Sequence, residues 1–444
     1  MKIALITLGC PKNLVDAEVM LGLLDEAGHT LVASPDGADL AIINTCSFIA
    51  SAVQESTDVV AGCLDLKQRG RLGRVLVTGC LPQRYGEDVF AMLPGVDGVV
   101  GCSDIDKIAG AVEAIHTGGS VTAVHEPIFL YDHTTPRVLG TPDHIAYVKV
   151  SEGCDNRCAY CMIPSIRGRL RSRDAISVRC EIDDLARAGV REVNLIAQDT
   201  TAYGTDIASA ESLAGLLLEL DRADIEWIRI LYTHPAHLTD GIIDAVASLD
   251  SVVPYLDIPI QHVSNHILNA MGRGTDGDHI RGLLRRVRER VPGVWIRSSV
   301  MVGFPGETDR DFDELRDLVA SGAIDHLGVF EFSPEEGTRA ALLGEQIPRE
   351  VASARACELI ELTEALAVER GTTLAGRRLT VLIDEVTPDE VTGRHAGQAW
   401  ELDGVVRIPH TPDARRGDLI EVDITGPAGF DLEGSIALSD RNRL

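Results

Sequence analysis

Three cysteines stand close together near the middle of the chain, directly after an apolar stretch. Residues 145–150 read IAYVKV, which predicts a strand, and Gly153 then opens a loop that carries Cys154, Cys158 and Cys161. This spacing can present three thiolates to one small metal centre. Because no fourth cysteine or histidine follows at zinc-finger spacing, a closed four-ligand zinc site is disfavoured, and an ordinary zinc or redox group is the alternative.

Three thiolates suit a four-iron cluster, on which they leave one iron without a protein ligand. The motif resembles that of the radical S-adenosylmethionine (SAM) superfamily, including an aromatic residue, Tyr160, directly before the third cysteine. The resemblance implies that Cys154, Cys158 and Cys161 hold a [4Fe-4S] cluster whose free iron is chelated by SAM. It also implies that these three cysteines are catalytic.

Three further cysteines each end a predicted strand within residues 1–118. They are Cys10 in LGC, Cys46 in NTC and Cys80 in TGC. Sequence of helical periodicity follows each strand, and Pro11 stands at a plausible helix start. Because parallel α/β sheets place their sites at the carboxyl ends of the strands, these three thiols can converge on a second metal centre.

The remaining cysteines are predicted to be structural or without a ligand role. Cys102 also follows a strand-like stretch, GVDGVVG, which brings it to the same kind of position, but we do not predict it to be a ligand. Cys63, Cys180 and Cys357 lie at apolar positions of predicted helices, where a free cysteine behaves as a small hydrophobic residue.

Composition and charge indicate where the protein is located in the cell and which kind of partner it binds. No apolar run is long enough to span a bilayer, and the apolar start of the chain favours a first strand over a signal peptide, so we expect a cytoplasmic protein without membrane contact. The formal net charge of −27 favours a basic protein partner, because proteins that bind nucleic acid usually present a basic surface. An acidic proteome or a local basic groove is the alternative explanation.

The central part of the chain predicts a second α/β unit. Residues 119–144, rich in Thr, Pro and Gly, are interpreted as a linker. Strands and helices then alternate to about residue 335, with six strand-like segments: IAYVKV, EVNLIAQD, EWIRILYTHP, PYLDIPIQH, VWIRSSVMVGF and HLGVFEFSP. Six βα units predict a parallel, partly closed barrel with its site at the carboxyl ends of the strands.

Polar residues at those strand ends are predicted to line the barrel cavity. They are Gln198, Asp199, His234, Gln261, His262, Gly303 and Gly306. Neither histidine has ligand spacing to a partner, so we predict no metal ion there.

The C-terminal part changes to strand periodicity. Residues 336–371 are interpreted as a connecting segment and one long helix, and after Gly376 a period-two alternation predicts a small β-barrel. Residues 372–444 hold eight Arg and no Lys against eight Asp and five Glu, a formal balance of 8 − 13 = −5. Such a surface is poorly suited to a phosphate backbone, so nucleic acid contact is not expected to dominate.

Together these features resemble the radical SAM methylthiotransferase family over essentially the whole chain. The fold class is then α/β, in four parts: an N-terminal α/β sheet domain (1–118), a linker (119–144), an open (β/α)6 radical SAM barrel with its connecting helix (145–371), and a small β-barrel similar to the TRAM domain (372–444). The resemblance implies an auxiliary [4Fe-4S] cluster on Cys10, Cys46 and Cys80. It assigns SAM contacts to four residues: Tyr160, Gln198, Gln261 and Gly303.

The family has two main substrate classes, and four segments distinguish them here. One branch modifies an adenosine next to the tRNA anticodon. The other, the RimO type, modifies an aspartate of small-subunit ribosomal protein number twelve. The segments that resemble the second branch are IAQDTTAYG, YLDIPIQHVSNHIL, FEFSPEEGT and ELDGVV. We therefore predict a transferase that installs a methylthio group on the β-carbon of that aspartate, with the tRNA adenosine as the alternative substrate.

The resemblance also implies a mechanism. One SAM donates its methyl group to sulfide held on the auxiliary cluster, and a second SAM is cleaved at the other cluster to a carbon radical that removes hydrogen from the substrate. The reductive cleavage requires an electron donor. A hypothesis of a different class is an iron–sulfur or zinc protein that binds RNA through its β-barrel without catalysis.

Overall fold

A parallel six-stranded sheet with helices on both faces forms the N-terminal part of the computed structural model, which describes residues 1–207, 211–411 and 413–437. Its elements are β1 (Lys2–Thr7), α1 (Pro11–Glu26), β2 (Thr30–Val32), β3 (Leu40–Thr45), α2 (Ala50–Gln68), β4 (Arg74–Gly79), α3 (Cys80–Tyr85), α4 (Asp88–Met92), β5 (Gly98–Gly101), α5 (Ile108–His116) and β6 (Val121–Ala123). The strand order is β2-β1-β3-β4-β5-β6, and all pairs are parallel.

The central strand β3 shows why these residues form a covered sheet. All six of its residues are buried, as is typical of a parallel strand with helices on both faces. Leu40 and Ile42 pack on the side of α1 and α5, whereas Ala41 and Ile43 pack on the side of α2 and α4. Strand β6 lies within the segment interpreted as a linker, where it pairs with β5. The division of the chain into domains remains a prediction.

The central part is a parallel sheet of six strands with helices outside. Its elements are β7 (Ile145–Lys149), β8 (Ser151–Glu152), α6 (Ile163–Arg167), β9 (Arg171–Ser172), α7 (Ala175–Arg187), β10 (Glu192–Ile196), α8 (Leu213–Leu220), β11 (Trp227–Ile230), α9 (Asp240–Ser248), β12 (Val252–Asp257), α10 (Asn265–Met271), α11 (Gly277–Arg290), β13 (Trp295–Val302), α12 (Asp309–Ala320), β14 (His326–Glu331) and α13 (Arg349–Leu374). The order β14-β13-β12-β11-β10-β7 is that of an open barrel, which confirms the prediction of six βα units.

The C-terminal part is a closed five-stranded barrel, also as predicted. Its strands are β15 (Arg378–Val386), β16 (Glu390–His395), β17 (Val406–Pro409), β18 (Leu419–Ala428) and β19 (Asp431–Ile436), and they close in the order β15-β16-β17-β19-β18. The last seven residues of the predicted domain, 438–444, lie outside the described residues. Within the described part of the chain, no helix combines the length and the apolar character needed to cross a bilayer.

Buried ion pairs join this small barrel to the amino-terminal ends of the central strands. Glu192, the first residue of β10, accepts from Arg229 Nε at 2.8 Å and lies 2.7 Å from Arg394 Nη2. Arg394 also donates to Asp384, which lies 2.9 Å from His144 Nε2. Burial alone would raise the pKa of Glu192, but the two guanidiniums offset this and lower it. The C-terminal barrel therefore covers the end of the central barrel that is opposite the cysteines.

Replacing Arg394 with Met should loosen this junction. The change leaves the buried Glu192 and Asp384 carboxylates without their shared guanidinium, which typically costs about 3–5 kcal/mol. The control is Arg407→Met, because Arg407 pairs with Glu390 and Asp431 at the surface, where such pairs contribute less than about 1 kcal/mol. Amide hydrogen exchange in β16 measures the difference. Equal protection in the two variants would contradict the assignment of the junction to Arg394.

Candidate active site

The structure brings the first three predicted ligands to one edge of the N-terminal sheet. Cys10 immediately precedes α1, Cys46 directly follows β3, and Cys80 is the first residue of α3 after β4. Because β1, β3 and β4 are neighbours in the sheet, their carboxyl ends deliver the three thiols side by side. Burial raises the pKa of Cys46 to about 11, and charges on Cys80 and Cys10 contribute to the increase.

A glycine with positive φ precedes three of the six predicted ligands. Gly9, Gly79 and Gly153 have φ values of 91°, 95° and 80°. A Cβ on Gly9 would lie 2.7 Å from the Cβ of Cys46, and one on Gly153 would lie 2.0 Å from a backbone oxygen. The backbone turn that directs each following thiol inward therefore requires a residue without a side chain.

The second trio borders an open cavity of about 860 Å³. Cys154, Cys158 and Cys161 line it together with residues 155–157, Ala159, Pro164, Arg169 and residues 337–339. Arg273 Nη1 lies 3.5 Å from the Cys158 sulfur, and the backbone N–H of Ile163 donates to the Cys161 sulfur at 3.4 Å. Such N–H donors stabilise thiolates and tune the potential of a bound cluster.

Burial also affects the protonation of this trio. It raises the pKa of Cys161 to about 12, and it raises that of Cys154 as well. Charges on neighbouring cysteines add to both increases. Binding metal must therefore displace protons that these buried thiols otherwise hold at neutral pH.

A buried guanidinium connects the two cysteine trios. Arg167 lies six residues after Cys161, yet its Nη2 is 3.4 Å from the sulfur of Cys80. The same group donates to Asn13 Oδ1 at 2.6 Å, and Nη1 donates to Asp16 Oδ2 at 2.6 Å. The carboxyl edge of the N-terminal sheet therefore faces the carboxyl edge of the central barrel.

Two further charges complete this contact. Lys149 Nζ lies 2.5 Å from Asp16 Oδ1 and 2.7 Å from Glu152 Oε2. Burial would raise the pKa of Glu152, but Lys149 and Arg167 overcome it and lower the pKa to about 2. Glu152 is therefore ionised at neutral pH, and its other oxygen accepts from the amide of Gln198.

A third cation, Lys12, lies at the same contact. The residue is only 7% exposed, and its Nζ lies 2.7 Å from the ring centre of Tyr232, just after β11. Burial lowers the pKa of Lys12 to about 7, against the opposing effect of Cys10 and Asp257.

The four residues assigned to SAM contacts lie in different surroundings. The hydroxyl of Tyr160 lies 3.5 Å from Arg273 Nη1, and Gln198 bonds to Glu152. Gln261 adopts a φ of 68° and bridges to β13. A Cβ on Gly303 would lie 2.5 Å from Ala352 in α13. The described residues that line the cavity beside Cys154 include none of the four, and their role as SAM contacts remains a prediction.

Buried polar atoms without partners lie near the second trio. His234 Nδ1 accepts from the N–H of Ala236, and burial lowers the pKa of His234 to about 3, so the ring is neutral and Nε2 carries the proton. Among the described residues, neither His234 Nε2 nor Gln198 Oε1 has a hydrogen-bond partner. A polar cofactor such as SAM would satisfy both atoms, so the residues present fit such a ligand.

The sequence argument about histidine spacing missed His237. The ligand atoms of Asp199, His234 and His237 lie within 4.8 Å of one another. A hydrogen bond of 2.7 Å joins His237 Nδ1 to Asp199 Oδ2, which also accepts from Asn156. This bond raises the pKa of His237, and the network accounts for the proximity of the three residues without a metal ion.

Cys102 lies directly against the first trio. It packs with Cys80, Ile166 and Met162, and its sulfur is 3.5 Å from the carbonyl oxygen of Ile166. Contact with the Cys102 thiol and the charge of Arg167 lower the pKa of Cys80. Contact with Cys80 and burial raise the pKa of Cys102, against the opposing effect of Arg167. The prediction that Cys102 is not a ligand stays a prediction.

Sequence reasoning also missed the charged residues at the contact. Lys12 and Asp16 follow Cys10 within the first two turns of α1, and Arg167 belongs to the arginine-rich run RGRLRSR after Cys161. Their position close to the cysteines in the sequence could have drawn attention to these residues. The ion pairs that they form across the contact could not be predicted from the sequence, because these depend on how two separate domains meet.

An N-terminal α/β domain, an open six-stranded barrel with a C-x3-C-x2-C loop and a closed C-terminal barrel define a radical SAM enzyme. Residues 2–101 match the family described as uncharacterized protein family UPF0004, residues 148–319 match the radical SAM superfamily, and residues 375–437 match the TRAM domain. Two solved radical SAM enzymes share the fold. TsrM from Kitasatospora setae aligns with a TM-score of 0.57 at 16% identity, covering 87% of this chain and 79% of TsrM. OxsB aligns with a TM-score of 0.53 at 13% identity, covering 82% and 56%.

Relatives with much higher identity define the family. A protein named ribosomal protein uS12 methylthiotransferase RimO from Anaeromyxobacter sp. (strain Fw109-5) is 43% identical, covering 100% of this chain and 94% of the relative. The protein of the same name from Syntrophomonas wolfei is 42% identical, covering 98% and 99%. The chain belongs to the RimO family of radical SAM methylthiotransferases, which confirms the resemblance.

Replacing Gly9 with Ala should damage the N-terminal metal centre alone. The new Cβ would press on Cys46 and the positive φ would become strained, so the iron content should fall from about eight to about four per chain. The control is Gly62→Ala, because Gly62 lies in α2 with open space around its Cβ position. Iron and sulfide analysis of anaerobically purified protein gives the values. An unchanged iron content in Gly9→Ala would refute the requirement.

Proposed function

We propose that this chain installs a methylthio group on the β-carbon of an aspartate in small-subunit ribosomal protein uS12. One observation carries the proposal: the two cysteine trios lie on facing domain edges, and Arg167 reaches from the loop of the second trio to the sulfur of Cys80. A reaction that joins sulfur chemistry at one centre to radical chemistry at another needs such an arrangement. The names of the relatives support uS12 as the substrate.

Two sets of residues would hold the metal clusters. Cys10, Cys46 and Cys80 form the N-terminal set, and Cys154, Cys158 and Cys161 form the second, with one [4Fe-4S] cluster on each. When bound, the clusters and SAM supply the carbon radical, the sulfur and the methyl group that the transfer requires. Radical chemistry suits this substrate because the β-C–H bond of an aspartate is not acidic enough for a general base to remove its proton at neutral pH.

The chain itself contributes orientation and charge. Arg273 and Arg167 donate to one sulfur of each trio and would stabilise the thiolates. The neutral His234 offers an unused N–H, and Gln198 offers an unused carbonyl, to a polar cofactor above the barrel. Tyr160, Gln261 and Gly303 are retained as proposed SAM contacts from the family resemblance.

Charge and location fit a ribosomal protein as the substrate. The chain carries a net charge of −27, which complements a basic protein. The loop of the C-terminal barrel at residues 396–403 contacts the central barrel through Arg229 and Arg297, so it is not free to bind RNA. We propose that the protein acts in the cytoplasm, where it would meet both uS12 and an electron donor.

A substrate comparison tests the proposed reaction. Reconstituted enzyme supplied with SAM and a reductant should replace one hydrogen of uS12 by SCH3 and leave tRNA unchanged. Mass spectrometry of the protein and nucleoside analysis of the RNA provide the two measurements. Modification of the tRNA adenosine without modification of uS12 would assign the chain to the other substrate class, and modification of neither would refute the proposed transfer.

A single-residue variant tests the assignment of the two trios. Cys154→Ala should abolish the release of 5′-deoxyadenosine from SAM, because the radical-generating cluster loses a ligand, while the N-terminal trio still retains about four irons. Cys357→Ala is the matched control, because Cys357 is exposed on α13, far along the chain from both trios. Retained release of 5′-deoxyadenosine by Cys154→Ala would show that this trio does not generate the radical.

A further inference from the structure

Lys12 differs from the other lysines of the chain. There are five, and Lys67, Lys107 and Lys149 form ion pairs with Asp97, Asp104 and Asp16, while Lys2 is exposed. Lys12 alone is buried without a hydrogen bond or ion pair to any described residue. A buried ammonium group without an acceptor is costly, and an anionic group of a ligand would offset that cost.

The neighbouring carboxylates are already committed to other groups. The carboxylate of Glu152 pairs with Lys149 and accepts from the amide of Gln198, and the carboxylate of Asp16 pairs with Arg167. Asp257 accepts from the backbone N–H of Tyr232 at 2.8 Å and makes no ion pair with Lys12.

The ammonium group lies over the ring of Tyr232, and its Nζ is not among the fully enclosed polar atoms. Tyr232 follows β11 at the carboxyl edge of the central barrel, and Lys12 follows Cys10 by two residues. The group therefore lies where the sheet edge that carries Cys10 meets the carboxyl edge of the central barrel.

We propose that Lys12 binds the side-chain carboxylate of the substrate aspartate and so determines the specificity for aspartate. This inference rests on the proposed function. In aspartate the carboxylate is bonded directly to the β-carbon, so an ion pair at Lys12 would hold the reacting carbon between the two trios. The ring of Tyr232 and the surrounding burial strengthen a charge-assisted hydrogen bond, and an uncharged asparagine would leave the ammonium unpaired.

The alternative role for a lysine two residues from Cys10 is to balance the charge of a metal centre on the N-terminal trio. The two roles differ in what they predict. A charge-balancing lysine would affect iron content or potential and would not discriminate between aspartate and asparagine in the substrate.

The test compares uS12 with a uS12 variant in which the target aspartate is replaced by asparagine. Anaerobic binding to the iron-loaded wild-type enzyme should be at least about 30-fold tighter for the aspartate form, the usual scale for losing one buried charge pair. In Lys12→Gln this ratio should fall to about 3-fold or less, and Lys12→Arg should retain most of it. Lys2→Gln, with an exposed lysine, is the control and should keep the full ratio.

The outcomes separate this inference from the proposed function. An unchanged ratio in Lys12→Gln overturns the inference, whether or not the variant has lost iron. If Lys12→Gln does not fold, the wild-type ratio decides, and equal binding of the two uS12 forms overturns the inference. If the wild-type enzyme modifies uS12 and Lys12→Gln still discriminates between the two uS12 forms, the inference fails and the proposed function stands. If the wild-type enzyme never modifies uS12, the proposed function itself is refuted.

Discussion

A buried network of four charges holds the two halves of the proposed active site together. Arg167 and Lys149 come from the central barrel next to its cysteine loop, and Asp16 comes from the first helix of the N-terminal domain, with Glu152 completing the set. All four side chains are almost fully buried. Removing one member would leave an uncompensated buried charge at a cost of about 3–5 kcal/mol, so the network acts as a unit. The facing position of the two cysteine trios depends on it.

Buried ion pairs also join two domains at the other end of the central barrel, but there they involve the C-terminal barrel. There Glu192, Arg229 and Arg394 fix the small C-terminal barrel against the amino-terminal strand ends. A domain of this type is often considered as a free module for RNA contact, but here one of its loops is part of an internal interface. Its function in this chain is therefore partly structural, because it covers the end of the central barrel at which no catalysis is proposed.

Much of the fold and the placement of the cysteines was predictable, because both follow from local patterns. A buried strand followed by a cysteine recurs at Cys10, Cys46 and Cys80, and neighbouring parallel strands must bring their ends together. The charge network was not predictable, because periodicity assigns residues such as Asp16 to a solvated helix face. The short strand Val121–Ala123 was also missed, because three residues are too few to establish a period. The parallel closure of the C-terminal barrel between β17 and β19 likewise depends on long-range pairing.

The C-terminal barrel covers the amino-terminal end of the central barrel, and this has a consequence for how ligands approach the cysteines. The cavity beside Cys154 is bounded by the loops that follow the first and the last strand, β7 and β14, so it opens on the same side as the N-terminal domain. A small cofactor and a protein substrate that both reach these cysteines would then approach from the same side of the barrel. Such an arrangement favours binding of the cofactor before the protein and its release after it.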